Sequence, residues 1–219
     1  MFDAANPSLG DPATAWAAWW PWLTVAALGL FHGLNPAMGW LFAVALGLHR
    51  GRRVVLLSLL PIALGHALAV GLVLAGAVAL GNLLDRELFA RAGGAVLIGW
   101  ALWHLLRGHR RRPRIGMRTG MAGLALWSFM MAGAHGAGLM LVPVLLPLCT
   151  SAAGAASGPI LPAVLALGLH SLAMLLAIAA IALLVYDRIG LAFLRTGWVN
   201  VDLVWTGALV VCGVVLLVG

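Results

Sequence analysis

The sequence predicts an all-α integral membrane protein of about six transmembrane helices arranged as two inverted three-helix repeats, an expectation that rests on three observations. The 219 residues are 63% hydrophobic and only 9% charged, against roughly 45–50% and 25% in soluble domains. Apolar runs long enough to cross a bilayer, at about 20 residues each, recur along the chain with short connections between them. The two halves also share an order of motifs. Each opens with a histidine-glycine pair inside an overlong apolar run and continues to a second histidine early in the next run, HGLNP then LGH in the first half and AHGAG then LGLH in the second.

Hydropathy and the breaks between runs place the spans at 16–48, 54–80, 89–106, 117–147, 159–185 and 198–218. The first and fourth exceed a simple upright crossing, and each is interrupted near its middle, by HGLNP and by AHGAG. Residues 1–219 thus read as one transmembrane domain, with repeat 1 over 16–106, repeat 2 over 117–218 and a basic cytoplasmic loop, 107–118, between them. With no space for a folded catalytic domain outside the lipid, the expectation is that the chain is not an enzyme.

Charge supplies the orientation. The net charge of +7 comes from 13 arginines against six acids, a balance that in a soluble protein would suggest nucleic acid. Here the arginines crowd into short connections. Arg50, Arg52 and Arg53, the run RGHRRRPRIGMR, and Arg188 with Arg195 all fall on one side if six spans cross, whereas Arg86 and Arg91 face the other beside Asp85 and Glu87. The positive-inside rule explains that pattern without nucleic acid. It places both termini outside a bacterial-type inner (plasma) membrane, and Trp16, Trp19, Trp20 and Trp22 then form an interfacial belt at the outer start of span one. The MFDAANPSLGDP start lacks the basic n-region of a cleavable signal peptide. Cys149 and Cys212 show no CxxC spacing and read as packing residues.

The candidate site is built from His32, His66, His135 and His170. Each lies near the centre of its span, and the interval from His32 to His66 nearly equals that from His135 to His170. An odd number of spans per half inverts the second half, and inverted repeats hold substrate near the midplane at interrupted helices. A single intramembrane histidine is more often a helix-helix hydrogen-bond partner. Four at matched positions point to a shared cavity, because polar groups in hydrocarbon are costly and mark pathways. Gly33 and Gly136, each directly after a histidine, let the backbone leave the helix or approach a ligand, and Pro36 removes an amide from the ladder. Asn35, one turn from His32, and Met38, two turns from it, are weaker candidates for substrate contact. His49, His104 and His109 read as interfacial. Asp202 is the one acid expected inside a span.

HGLNPAMGW followed by GHALAVG resembles the first half of nickel/cobalt efflux-type transporters in the broad lysine-exporter superfamily. The resemblance covers spans one and two directly and the rest through the repeat. It implies six or seven helices, inverted three-helix repeats, export of a small cation or amino acid, and His32 and His66 as substrate or metal ligands. This chain departs from the motif at Asn35, where the family has an acid, and at Met38, where it has a second histidine. Neutral imidazoles with a nearby thioether leave nickel, cobalt, zinc and copper all open as the transported metal.

The expected function is therefore a secondary transporter, proton-coupled and exporting a transition-metal cation through mid-membrane histidines. Two alternatives stand beside it: an exporter of a small amino-acid-type solute whose histidines relay protons, and a haem- or metal-binding redox protein. The metal would be substrate and no resident cofactor is expected. The expected partners are the lipid bilayer, a small cation or solute, and other copies of the chain in a homo-oligomer.

Overall fold

The structure is a computed structural model that describes residues 12–81, 83, 85–107, 120–150, 158–189 and 201–218. The basic stretch 108–118, His109, Arg195 and the side chains of Cys149 and Asp202 lie outside the described residues. Every regular element described is helical: α1 (Pro12–Leu34), a 3-10 turn (Pro36–Met38), α2 (Trp40–Arg50), α3 (Arg52–Leu57), α4 (Leu59–Gly81), α5 (Arg86–Arg107), α6 (Met121–Ala134), α7 (Ala137–Thr150), α8 (Ile160–Leu184) closing in a π turn (Val185–Ile189), and α9 (Val201–Val218).

Among the described residues, three helices are long and apolar enough to cross a membrane: α3 with α4, α5, and α8 with its π turn. A fourth results if α6 and α7, bent by 54° at their junction, count as one broken span. Helix α1 falls outside that set because Trp16, Trp19, Trp20, Pro21 and Trp22 occupy its early turns and His32 its last, residues that favour the interface or polar surroundings. Among the described residues α9 contributes a shorter apolar helix, Leu203–Val218. The overlong apolar runs 16–48 and 117–147 resolve into helix pairs, α1/α2 and α6/α7, as their internal motifs lead one to expect. Span two also divides, at Ser58, whose hydroxyl donates back to the Val54 carbonyl at 2.7 Å.

Side chains sort by size in the reverse of the soluble pattern. Helix α4 turns Leu60, Leu64, Leu68 and Leu72 outward and buries Gly65, His66, Ala69 and Val70. Helix α8 likewise exposes Leu161, Leu165, Leu172 and Leu176 while burying Ala163, Ala166, His170 and Ala173. Large apolar groups outside and small or polar ones at the helix contacts suit a solvent that is itself apolar, where close backbone packing and hydrogen bonds hold helices together.

The principal helix pairs are α1 with α8, α4 with α6, and α5 with α9. Two glycines permit the contacts that carry histidines. A Cβ on Gly29 would overlap the His170 carbonyl on α8, and one on Gly65, next to His66, would overlap the Ala125 carbonyl on α6. At the second contact Ser128 of α6 adds a hydrogen bond, its hydroxyl donating to the Ile62 carbonyl of α4 at 2.9 Å.

Candidate functional site

Both helix breaks follow from local chemistry, and each leaves backbone carbonyls without the amide that a continuing helix would supply. In the first, Pro36 lacks an N–H, Asn35 caps the 3-10 turn by accepting from the Ala37 amide at 3.0 Å, and Gly39 takes a left-handed φ of 119°. In the second, the turn is only His135 and Gly136, and Gly136 supplies a φ of 67°. Such angles are strained for residues with a Cβ.

Indoles satisfy the freed carbonyls. At the first break, the Trp40 N–H donates to the Leu34 carbonyl at 3.3 Å and the Trp127 N–H to the Ala37 carbonyl at 3.0 Å. At the second, the Trp100 N–H donates to the Ala134 carbonyl at 2.9 Å, the His104 Nε2 reaches the same oxygen, and the Trp205 N–H donates to the His135 carbonyl at 2.6 Å. A buried indole needs an acceptor for its N–H, and a broken helix offers one.

Three of the four anticipated histidines converge. His32 at the last turn of α1, His66 in α4 and His170 in α8 are all fully buried. The His66 and His170 rings stack at 5.4 Å with 16° between planes; His32 stands edge-on to both, at 5.8 Å from His66 and 4.8 Å from His170. His32 Nδ1 donates to the Leu28 carbonyl one turn back at 2.8 Å, so the neutral ring carries its lone pair on Nε2. That Nε2 and both nitrogens of His66 make no hydrogen bond, and the His170 ring nitrogens have only the Val25 carbonyl of α1 to interact with. A buried unsatisfied polar group costs about 1–3 kcal/mol, so the trio is a concentrated expense of stability.

His135 belongs to a different group. Its Nδ1 donates to the Met131 carbonyl at 2.9 Å, the same bond one turn back that His32 makes. Its ring meets Trp205 at 5.4 Å and Trp205 meets His32 at 4.3 Å, edge-to-face in each case, and His135 also acts electrostatically on His32. On its other side His135 meets His104 at 6.0 Å. His104, read from sequence as interfacial, is half-buried beside Trp100 and Trp103. His49 is exposed at the end of α2.

The weaker candidates take structural places. Gly33 stays helical and packs against Met174 and Ala177 of α8, while Gly136 is itself the break. The two histidine-glycine pairs are therefore not equivalent in backbone terms. Asn35 caps the turn and keeps an unpartnered, buried Nδ2. Met38 is buried among Ile62, Leu124 and Met174. Among the described residues, no group of three or more histidine, cysteine, aspartate or glutamate side chains is arranged to hold a metal ion.

Sequence reasoning missed Trp100, Trp127, Trp205 and the bond of His104 to the Ala134 carbonyl. The available signal was position: Trp127 and Trp205 sit inside apolar runs, where interfacial preference does not account for them. No family model, curated protein or solved structure matches this chain.

Proposed function

We propose that this chain is a secondary transporter that crosses an inner (plasma) membrane about six times, with both termini outside, and exports a transition-metal cation in exchange for protons through His32, His66 and His170. The observation that carries the proposal is the trio itself, three fully buried rings within 5.8 Å of one another whose nitrogens, apart from His32 Nδ1, have no hydrogen-bond partner. Groups left unsatisfied at that expense are retained where they are satisfied in another state of a working cycle.

Spacing supports the choice of cargo. With metal–imidazole bonds of about 2.0–2.1 Å and tetrahedral angles, ring centres in a three-histidine site lie about 5 Å apart, and those here lie 4.8–5.8 Å apart. Proton coupling follows from the donor chemistry. A ring that accepts a proton on the nitrogen facing the ion loses the lone pair that held it, so proton arrival expels the cation.

The helix pairing supports the inverted repeat. The first helix of each half packs on the second long helix of the other, α1 on α8 and α6 on α4, and the third helices, α5 and α9, pack on each other. Exchange of the two halves leaves that set unchanged, as a pseudo-two-fold axis requires.

The small-solute reading, in which the trio only relays protons, is favoured by the absence of a ready metal-holding group among the described residues. Proteoliposomes containing a pH-sensitive dye separate the two. Cation export predicts that Zn²⁺, Co²⁺ or Ni²⁺ movement drives opposite proton movement and that His66→Gln abolishes both. Proton movement driven by a solute and indifferent to every metal would instead establish the relay. Reporter fusions after Gly219 and within 107–118 should label opposite sides, and labelling on the same side would contradict the span count.

A further inference from the structure

Beyond the trio, the structure contains a second pair of imidazoles, and burial grades smoothly between the two groups. His104 is half-buried three residues before the Arg107 end of α5; His135 is 8% exposed, Trp205 2%, and the trio 0%. Adjacent rings along that series are in contact at every step: 6.0 Å from His104 to His135, 5.4 Å on to Trp205, 4.3 Å on to His32. Trp205 comes from α9, a helix that contributes nothing to the trio.

We infer that His104 and His135 form an outer two-imidazole station for the transported cation, and that the Trp205 indole is the partition between that station and the trio. Trp205 is held as a partition needs to be. Its ring stacks on Phe31 at 5.1 Å with 2° between planes. Its N–H is tied to the His135 carbonyl, an acceptor that exists because α6 stops there. A change of bend at the α6–α7 junction therefore moves the indole directly, joining or separating the two groups. His135 and His104 also flank one carbonyl-rich turn, since His104 Nε2 and the Trp100 N–H share the Ala134 oxygen. The identity of the cargo rests on the transporter reading; the partition does not.

The test is histidine labelling by diethylpyrocarbonate, which acylates neutral imidazole, on the full chain in lipid nanodiscs, read peptide by peptide by mass spectrometry. In the unmodified protein His104 reacts first, His135 more slowly, and His32, His66 and His170 are protected. Trp205→Ala exposes the trio by more than about tenfold, because loss of a large buried ring opens its site. Trp205→Phe keeps the ring, loses the hydrogen bond and gives a smaller rise of roughly twofold to tenfold. Trp127→Ala, which removes an indole from the other break, leaves the trio protected. Equal trio labelling in Trp127→Ala and Trp205→Ala, or no rise in either Trp205 variant, overturns the partition. In a second arm Zn²⁺ alone slows labelling of His104 and His135, and does so equally in His66→Gln, where the trio is broken. Loss of that protection in both proteins overturns the station, whereas failure of the trio to bind metal leaves the His104 result standing.

Discussion

The two helix breaks do the same geometric work by different chemistry. The first is written into five consecutive residues: a proline that cannot donate, an asparagine that caps, and a glycine at φ 119°. The second is a two-residue turn with a single left-handed glycine, and its freed carbonyls depend on Trp100 and His104, more than thirty residues upstream or close to it, and on Trp205, 70 residues downstream. A break defined by its own sequence, as the first is apart from the Trp127 bond, depends less on its neighbours. One stabilised from other helices is coupled to their positions, and the 54° bend at α6–α7 is thus the better candidate for the moving part.

That contrast is open to attack by substitution. The largest effect is expected at Trp205: replacement by alanine removes a fully packed ring and its hydrogen bond, and should lower stability in detergent by about 3–5 kcal/mol, read by thermal unfolding. Trp127→Ala at the first break should lower it by clearly less, because Pro36, Asn35 and Gly39 still define the turn. Equal losses would erase the distinction. Next come the left-handed glycines. Gly39→Ala and Gly136→Ala each force a Cβ into a strained backbone, about 1–3 kcal/mol. Gly39→Ala should be the worse, since its Cβ would lie 2.9 Å from the Ile62 Cδ1, while that of Gly136 has its nearest neighbour, Leu209 Cδ2, at 3.2 Å. The smallest effect is expected for Trp100→Phe, about 1 kcal/mol or less, because His104 still reaches the Ala134 carbonyl. A larger loss there would mean that the indole, not the imidazole, holds the second break.

The same contrast explains what could be read in advance. The first break was legible because proline, asparagine and glycine act on their own backbone. Convergence of His32, His66 and His170 was legible through matched spacing in two apolar runs, a regularity that composition alone does not produce. The contact of His135 with His32 by way of Trp205 was not, because that ring belongs to the last helix, and nothing in a local period reports which helix packs where. The bond of His104 to the Ala134 carbonyl was hidden for a related reason: its place three residues before a basic stretch suggests an interface, and only the α5 contact with the α6–α7 turn brings it to that oxygen. The division at Ser58 had its signal in Pro61, in the first turn of α4, which lacks the amide that would bond the Leu57 carbonyl.

Central to the account is that the trio binds a cation, and equilibrium binding of Zn²⁺, Co²⁺ and Ni²⁺ to the purified full chain measures it most directly. Wild-type protein should bind at least one of these ions at a site that His66→Gln removes while leaving thermal unfolding nearly unchanged. Affinity should fall as pH is lowered, because imidazole must be deprotonated to ligate, and the fall should be steeper for three rings than for the residual site in the variant. Identical binding by wild type and His66→Gln, or no binding by either, would contradict the assignment of His32, His66 and His170 as the transport site.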